Sequence, residues 1–206
     1  MMKFGVMLVL MSFLVSSVFA QDDAKTKTLE DRIAALEKRI AALEAATAPV
    51  VEKVSVEQKA EEQRTKARER MRKDSEAYSN DELREIESLY QVANQKWRTT
   101  QGKESLKLLI EKYDDANRTG CALLYLGQMS TGEEREKYLQ EAIDDFSDCY
   151  YGDGVQVGAY ARYVLAYHYK EAGQKEKEEA LFKELKDDFP DAISHKGKLL
   201  ADLIGQ

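Results

Sequence analysis

The sequence predicts an all-α chain, and three observations carry that expectation. Charged residues make up 33% of its 206 residues and only two are proline, Pro49 and Pro190, a composition suited to long helices. Apolar residues recur at three- and four-residue steps, as in Leu83, Ile86, Leu89, Tyr90, Ala93 and Trp97, the spacing of one helix face. No stretch alternates apolar and polar β-branched residues as a half-buried strand does. The formal net charge of −7 speaks against nucleic acid as the main partner.

Residues 1–20, MMKFGVMLVLMSFLVSSVFA, open with one lysine, continue through a short apolar run and end Val18-Phe19-Ala20. Small residues three before and one before a cut suit signal peptidase, so cleavage is expected after Ala20. The alternative, an uncleaved anchor, requires a longer apolar stretch than this one, which Ser12, Ser16 and Ser17 interrupt. No cysteine follows the run, which argues against a lipoprotein. The mature protein is expected to be exported, periplasmic or secreted, without stable membrane insertion.

Residues 28–46 read as a coiled coil. Leu29, Ile33, Leu36, Ile40 and Leu43 follow a 4, 3, 4, 3 spacing, which is the a/d seam of such a helix. Arg32 and Arg39 then fall at g, five places before the e residues Glu37 and Glu44, so that neighbouring parallel helices form ion pairs. Ile at a with Leu at d favours a dimer. RIAALE, which occurs twice in register at 32–37 and 39–44, resembles a motif of trimeric coiled coils, and a trimer is favoured on that account. With under three heptads the segment is marginal by itself.

Residues 47–78 form a connector. Pro49 is expected to end the zipper helix, because proline lacks the N–H that a helix interior needs. From Glu57 to Lys73 the chain is almost wholly charged, and a solvated helix or disordered spacer is expected there.

Residues 79–206 form the folded domain. Ser79 followed by Glu82 is a capping-box signature, and helices are expected near 80–97, 103–113, 118–129, 132–146, 157–172, 175–188 and 192–205. Three segments are alike: LIEKYDDA (109–116), AIDDFSDC (142–149) and LKDDFPDA (185–192). Each has an aromatic residue followed two places later by Asp, read as a cap for the following helix. The aromatics Tyr113, Phe146 and Phe189 lie 33 and 43 residues apart, the longer interval carrying a glycine-rich insertion at Tyr150–Val157.

Residues 159–192 resemble a tetratricopeptide (TPR) repeat. Counted from Ala159, the residues Leu165, Ala166, Tyr169, Phe182, Leu185 and Pro190 stand at positions 7, 8, 11, 24, 27 and 32, where that pattern places its signature residues. Leu185 is bulkier than the usual alanine, and Glu178 stands where alanine is usual. The resemblance implies a TPR-like helical-hairpin solenoid of about three helix pairs plus a terminal cap helix over 192–205. It also implies a partner-binding groove lined on its third pair by Tyr160, Tyr163, Tyr167 and Lys170. Tyrosines at such spacing offer rigid rings with polar tips; the alternative is that they pack against a neighbouring helix.

Cys121 and Cys149, the two cysteines of the chain, are expected at neighbouring helix ends. An exported protein allows them to form a disulfide, which would contribute about 3 kcal/mol; two buried thiols are the alternative. His168 and His195 lack a second ligand at helical spacing and are assigned surface or packing roles. Arg162, off the tyrosine face, is read as a surface charge or a salt-bridge partner. No phosphate loop, nucleophile elbow or zinc-protease motif occurs, so no catalytic residue, metal or cofactor is expected.

Leader, short coiled coil, polar connector and TPR-like domain, in that order, resemble the periplasmic cell-division coordinator family (CpoB, or YbgF). That resemblance implies an exported adaptor, trimeric through its coiled coil, that binds an envelope protein in cell-division coordination. Two other expectations stand beside it: a structural oligomer without a peptide groove, and an accessory subunit of an outer-membrane assembly complex.

Overall fold

The computed structural model describes the backbone of residues 4–205 and the side chains of residues 31–45 and 55–205. The leader expected at 1–20, with its cleavage site after Ala20, and the first seam residue Leu29 fall outside the described side chains. Among the described residues the structure is all-helical, with no strand, and no helix is long and apolar enough to cross a membrane. The chain divides after Lys53 into two units.

In the first unit every side chain over 31–45 is exposed. Ile33, Leu36 and Ile40 are each 54% exposed and Leu43 is 62% exposed. The helix that carries them, α1 (Phe4–Ala77), does not stop at Pro49. A proline inside a helix removes one backbone bond and costs about 3 kcal/mol. Among the residues on either side, Ala45, Ala46 and Ala48 before it and Glu52 and Lys53 after it are strong helix formers that favour continuation.

The second unit holds the end of α1 and six further helices: α2 (Asn80–Gln95), α3 (Thr100–Lys112), α4 (Asn117–Met129), α5 (Gly132–Asp144), α6 (Val157–Glu171) and α7 (Lys175–Asp188). These bounds lie within three residues of the expected ones. Local chemistry sets them. The Ser79 hydroxyl accepts the Glu82 N–H while the Glu82 carboxylate accepts the Ser79 N–H at 2.8 Å, closing the capping box at α2. Thr99 caps α3 by accepting the Gly102 N–H at 3.1 Å. Pairing follows chain order, α2 with α3, α4 with α5 and α6 with α7. The first helices also touch in succession, α2 to α4 to α6, and α3 and α5 each lean on the first helix of the next pair. The middle helix α4 is buried along most of its length, with Leu123, Leu124 and Leu126 fully inside.

The connector differs most from expectation. Residues 54–77 belong to the folded unit. They form a helical strap whose inner face is Ala60, Gln63, Ala67 and Asp74, all buried. It runs over the segments that follow α3, α5 and α7. Arg70 donates to the Asp115 carbonyl at 2.8 Å and stands 3.6 Å from the Asp148 carboxylate. Lys59 pairs with Asp191 at 2.8 Å, and Gln63 donates to the Asp191 carbonyl at 3.2 Å. Asp148 and Asp191, expected to cap the following helices, instead meet cations of the strap. Asp74 does the capping, accepting the Asn117 N–H at the start of α4 at 2.9 Å, where Ala116 offers no side-chain cap. Small and hydrogen-bonding residues on its inner face let the strap approach loops rich in main-chain polar groups.

The expected cap helix over 192–205 is absent. Residues 193–199 form a tight hairpin, followed by a single 3-10 turn at Ala201–Leu203. This hairpin repeats the insertion after α5. Tyr151 donates to the Val155 carbonyl and Val157 to that of Cys149; 43 residues on, Ser194 donates to Lys198 and Leu200 to Ala192. Gly154 and Gly197 take the turn with φ of +93° and +70°, a region that L side chains rarely enter. Glycine at 197 therefore favours a turn over the helix expected there.

The two glycines should respond differently to substitution. A Cβ on Gly154 would stand 2.9 Å from the Arg64 backbone nitrogen of the strap, whereas one on Gly197 meets nothing within 4 Å. Gly197→Ala should cost about 1 kcal/mol, for its positive φ alone. Gly154→Ala should cost more, about 2–3 kcal/mol, by adding overpacking. Chemical denaturation of the two variants checks this; equal losses would contradict the strap contact.

Candidate functional site

The first helices of the three pairs direct one face each toward a shared surface. From α2 come Tyr90, Gln91 and Asn94, and from α4 come Arg118, Tyr125 and Gln128. These residues line a hollow of about 440 Å³, closed along one side by Tyr151, Gly152 and Asp153 of the first hairpin and by His195 of the second. Helical spacing explains the convergence, since residues three or four apart share a face.

The hollow is aromatic and amide-rich, and its charges are matched within the fold. Arg118 lies 4.4 Å over the Tyr90 ring and reaches Glu87 at 2.9 Å. Tyr125 stacks at 4.6 Å with Trp97, which is 39% exposed at the surface. Tyr151 donates to the Cys121 carbonyl at 3.2 Å, tying the hairpin to α4. His195 sits edge-on between Tyr151 at 4.9 Å and Tyr160 at 5.2 Å, and its Nδ1 is 2.8 Å from the Asp153 carboxylate. The two hairpins are thus joined by the Asp153–His195 hydrogen bond within an aromatic frame.

A second hollow of about 270 Å³ lies farther along, bounded by Gln128, Arg135, Tyr163, Val164, Tyr167, His168 and Glu171. Gln128 borders both. His168 meets Glu136 at 3.1 Å, and Tyr169 donates to the other oxygen of that carboxylate at 3.1 Å.

The four residues expected to line a groove are distributed as follows. Tyr160, Tyr163 and Tyr167 form a continuous stripe, with ring centroids 5.9 Å and 4.9 Å apart. None is fully exposed. Tyr160 packs into the core beside His195, and Tyr163 packs against the buried cluster of Ala159, Leu185, Ala192 and Leu200, as do Leu203 and Ile204. Tyr167 donates to the Leu203 carbonyl at 3.0 Å. Lys170 is exposed, 5.3 Å over the Tyr167 ring. Burial and the contact with Tyr167 push the Tyr163 hydroxyl up to about 12, so it remains a protonated donor at neutral pH. Helical spacing found this stripe but could not show the tail lying on it.

The principal hollow was not singled out from the sequence. Tyr90 and Trp97 were placed on a helix face, yet Asn94, Arg118 and Tyr125 carry no motif, and the Asp153–His195 pair joins residues 42 apart. Arg162 forms an ion pair with Glu184 at 3.0 Å. Cys121 and Cys149 are free and buried, so the bridge is not formed here. Burial pushes both thiols up to about 12, leaving little of the reactive thiolate. Among the described residues no three His, Cys, Asp or Glu side chains converge in a metal-binding group. Comparison of the chain with family models, with characterised proteins and with solved structures gave no significant match.

Burial tends to raise the Asp153 carboxyl, but the hydrogen bond and charge of His195, with the Val155 N–H, outweigh it and hold it below its ordinary value of 3.8. A depressed carboxylate stabilises the fold above its unfolded pKa, and that contribution is lost as pH falls through the folded value. His195→Asn should leave burial less opposed and move the Asp153 titration upward. Carboxyl NMR titration reads this directly; an unmoved midpoint would contradict the pairing.

Proposed function

We propose that this chain is an exported adaptor that self-associates through residues 28–46 and holds a partner polypeptide on the shared face of α2, α4 and α6. In this account the three helix pairs are a TPR-like array, and the aromatic hollow is the central part of its groove. The observation that carries the proposal is the hollow itself: the first helices of two successive pairs, α2 and α4, line it with Tyr90, Asn94, Tyr125 and Gln128, bordered by two hairpins. Rigid aromatic rings beside side-chain amides favour an extended polypeptide, which needs both apolar contact and hydrogen bonds to its main chain. The polar groups of this face are held in pairs or as neutral donors, an arrangement suited to holding a guest.

Self-association is supported by the exposed Ile33, Leu36 and Ile40 in one stripe, since large apolar side chains at seam spacing gain burial only against another helix. Arg32, Glu37, Arg39 and Glu44 flank that stripe. Trimer remains favoured over dimer on the repeated RIAALE motif. A place in envelope or cell-division coordination follows from the resemblance of the overall layout to the periplasmic coordinator family.

Two double variants separate the two activities. Ile33→Asp with Ile40→Asp should convert the mature chain to a monomer in sedimentation equilibrium, since each places a charge in the seam. Asn94→Ala with Tyr125→Ala should leave the oligomer intact and reduce crosslinking to an envelope partner by about tenfold or more, the loss of about 1.4 kcal/mol or more. Unchanged crosslinking by the second variant would remove the hollow from the binding surface.

A further inference from the structure

The segment after α7 already lies on the α6 tyrosines. Leu200 is fully buried with Leu185, Ala192 and Ala159, and anchors it. Beyond that anchor, Leu203 and Ile204 are only half-buried, packed against the same cluster as Tyr160 and Tyr163. The Tyr167 hydroxyl donates to the Leu203 carbonyl at 3.0 Å. The local main-chain support is a single turn, closed by the Leu203 N–H on the Leu200 carbonyl at 3.1 Å. One short turn with two half-buried aliphatic side chains is held far less firmly than the helices beneath it.

What the tail shows is the chemistry this face accepts. Two aliphatic side chains share one apolar cluster with Tyr160 and Tyr163, and one main-chain carbonyl receives a phenol proton. Tyr163 and Tyr167 also wall the 270 Å³ hollow, so a guest arriving along the helix face reaches them from that side.

We propose that residues 201–205 are a resident stand-in for a partner segment, and that tail and partner exclude one another on the α6 tyrosines. The partner segment is a short peptide with two adjacent aliphatic residues, in the manner of Leu203-Ile204, whose preceding turn leaves a carbonyl free for Tyr167. The proposal rests on the α2–α4–α6 face being a polypeptide-binding surface, and it names the kind of segment taken at its α6 end. The tail then sets a threshold: only a segment that binds these tyrosines better than the weakly held tail occupies them.

The probe is a fluorescent peptide with the sequence of residues 198–205, KLLADLIG, titrated by anisotropy into the mature full-length chain. Leu203→Ser with Ile204→Ser in the chain weakens the tail and should tighten peptide binding about tenfold or more. Adding Tyr163→Ala to that variant should abolish the gain. In the unaltered chain, excess peptide should shift the Leu203 and Ile204 methyl resonances toward those of an unstructured segment, a readout that needs no destabilised variant. No gain in the tail variant, together with unmoved methyl resonances, would overturn the proposal. The peptide reads the α6 end alone, whereas crosslinking to the envelope partner reads the principal hollow, so a failure at the hollow is distinguishable from a failure at the tail.

Discussion

Asp74 joins three parts of the domain that are far apart in sequence. Its side chain is 10% exposed, paired with the equally buried Arg70, and both of its oxygens accept the Asn117 N–H at the start of α4. That position favours a carboxylate twice over, through the unsatisfied N–H groups and through the helix dipole. Asn117 passes the constraint on: its side chain donates to the Tyr150 carbonyl at 2.8 Å and accepts the Tyr150 N–H at 2.7 Å. Strap, central helix and first hairpin are therefore fixed by one connected set of buried polar bonds. Breaking such a pair by removing one partner costs about 3–5 kcal/mol, because the other charge remains buried. The hairpin held this way forms one border of the aromatic hollow, so the network shapes the site as well as the fold.

The strap explains why the repeated Asp motif exists in a form the sequence did not disclose. An Asp two places after an aromatic reads locally as a helix cap, and nothing nearby contradicts that. Its actual partners, Arg70 and Lys59, sit in a segment with so much charge that it reads as solvent-facing throughout. Lys59 and Arg70 are eleven residues apart, about three helical turns or 16 Å, which matches the strap to the segments after α7 and α5 that carry Asp191 and Asp148. A buried helix face made of Ala60, Gln63, Ala67 and Asp74 has almost no apolar periodicity. Pattern analysis sees the large apolar residues of α2 to α7 and is blind to this one.

Elements whose ends are set by local chemistry were legible: Ser79 with Glu82, and the spacing of Leu165, Tyr169, Phe182 and Leu185, define α2, α6 and α7 from neighbouring residues alone. The last hairpin was misread because SHKGKLLADLIG has helix-like composition. Its signal was the recurrence of Phe-x-Asp followed six places later by Gly, at Phe146–Gly154 and at Phe189–Gly197. That pattern marks a positive-φ turn, which overrides propensity in the residues around it. The candidate site was legible only in part, since the α6 tyrosines share one helix while Asn94, Arg118, Tyr125 and the Asp153–His195 pair meet only through tertiary packing.

The hairpins and the hollow beside them depend on the strap being an integral member of the second folded unit. Hydrogen–deuterium exchange on the mature chain tests this most directly. Amides of residues 60–77 should exchange only with global unfolding, at the rate of Leu123–Leu126 in α4, and Asp74→Asn should accelerate both the strap and the hairpin at 150–157. Strap amides that exchange orders of magnitude faster than those of α4, unaffected by that substitution, would contradict it.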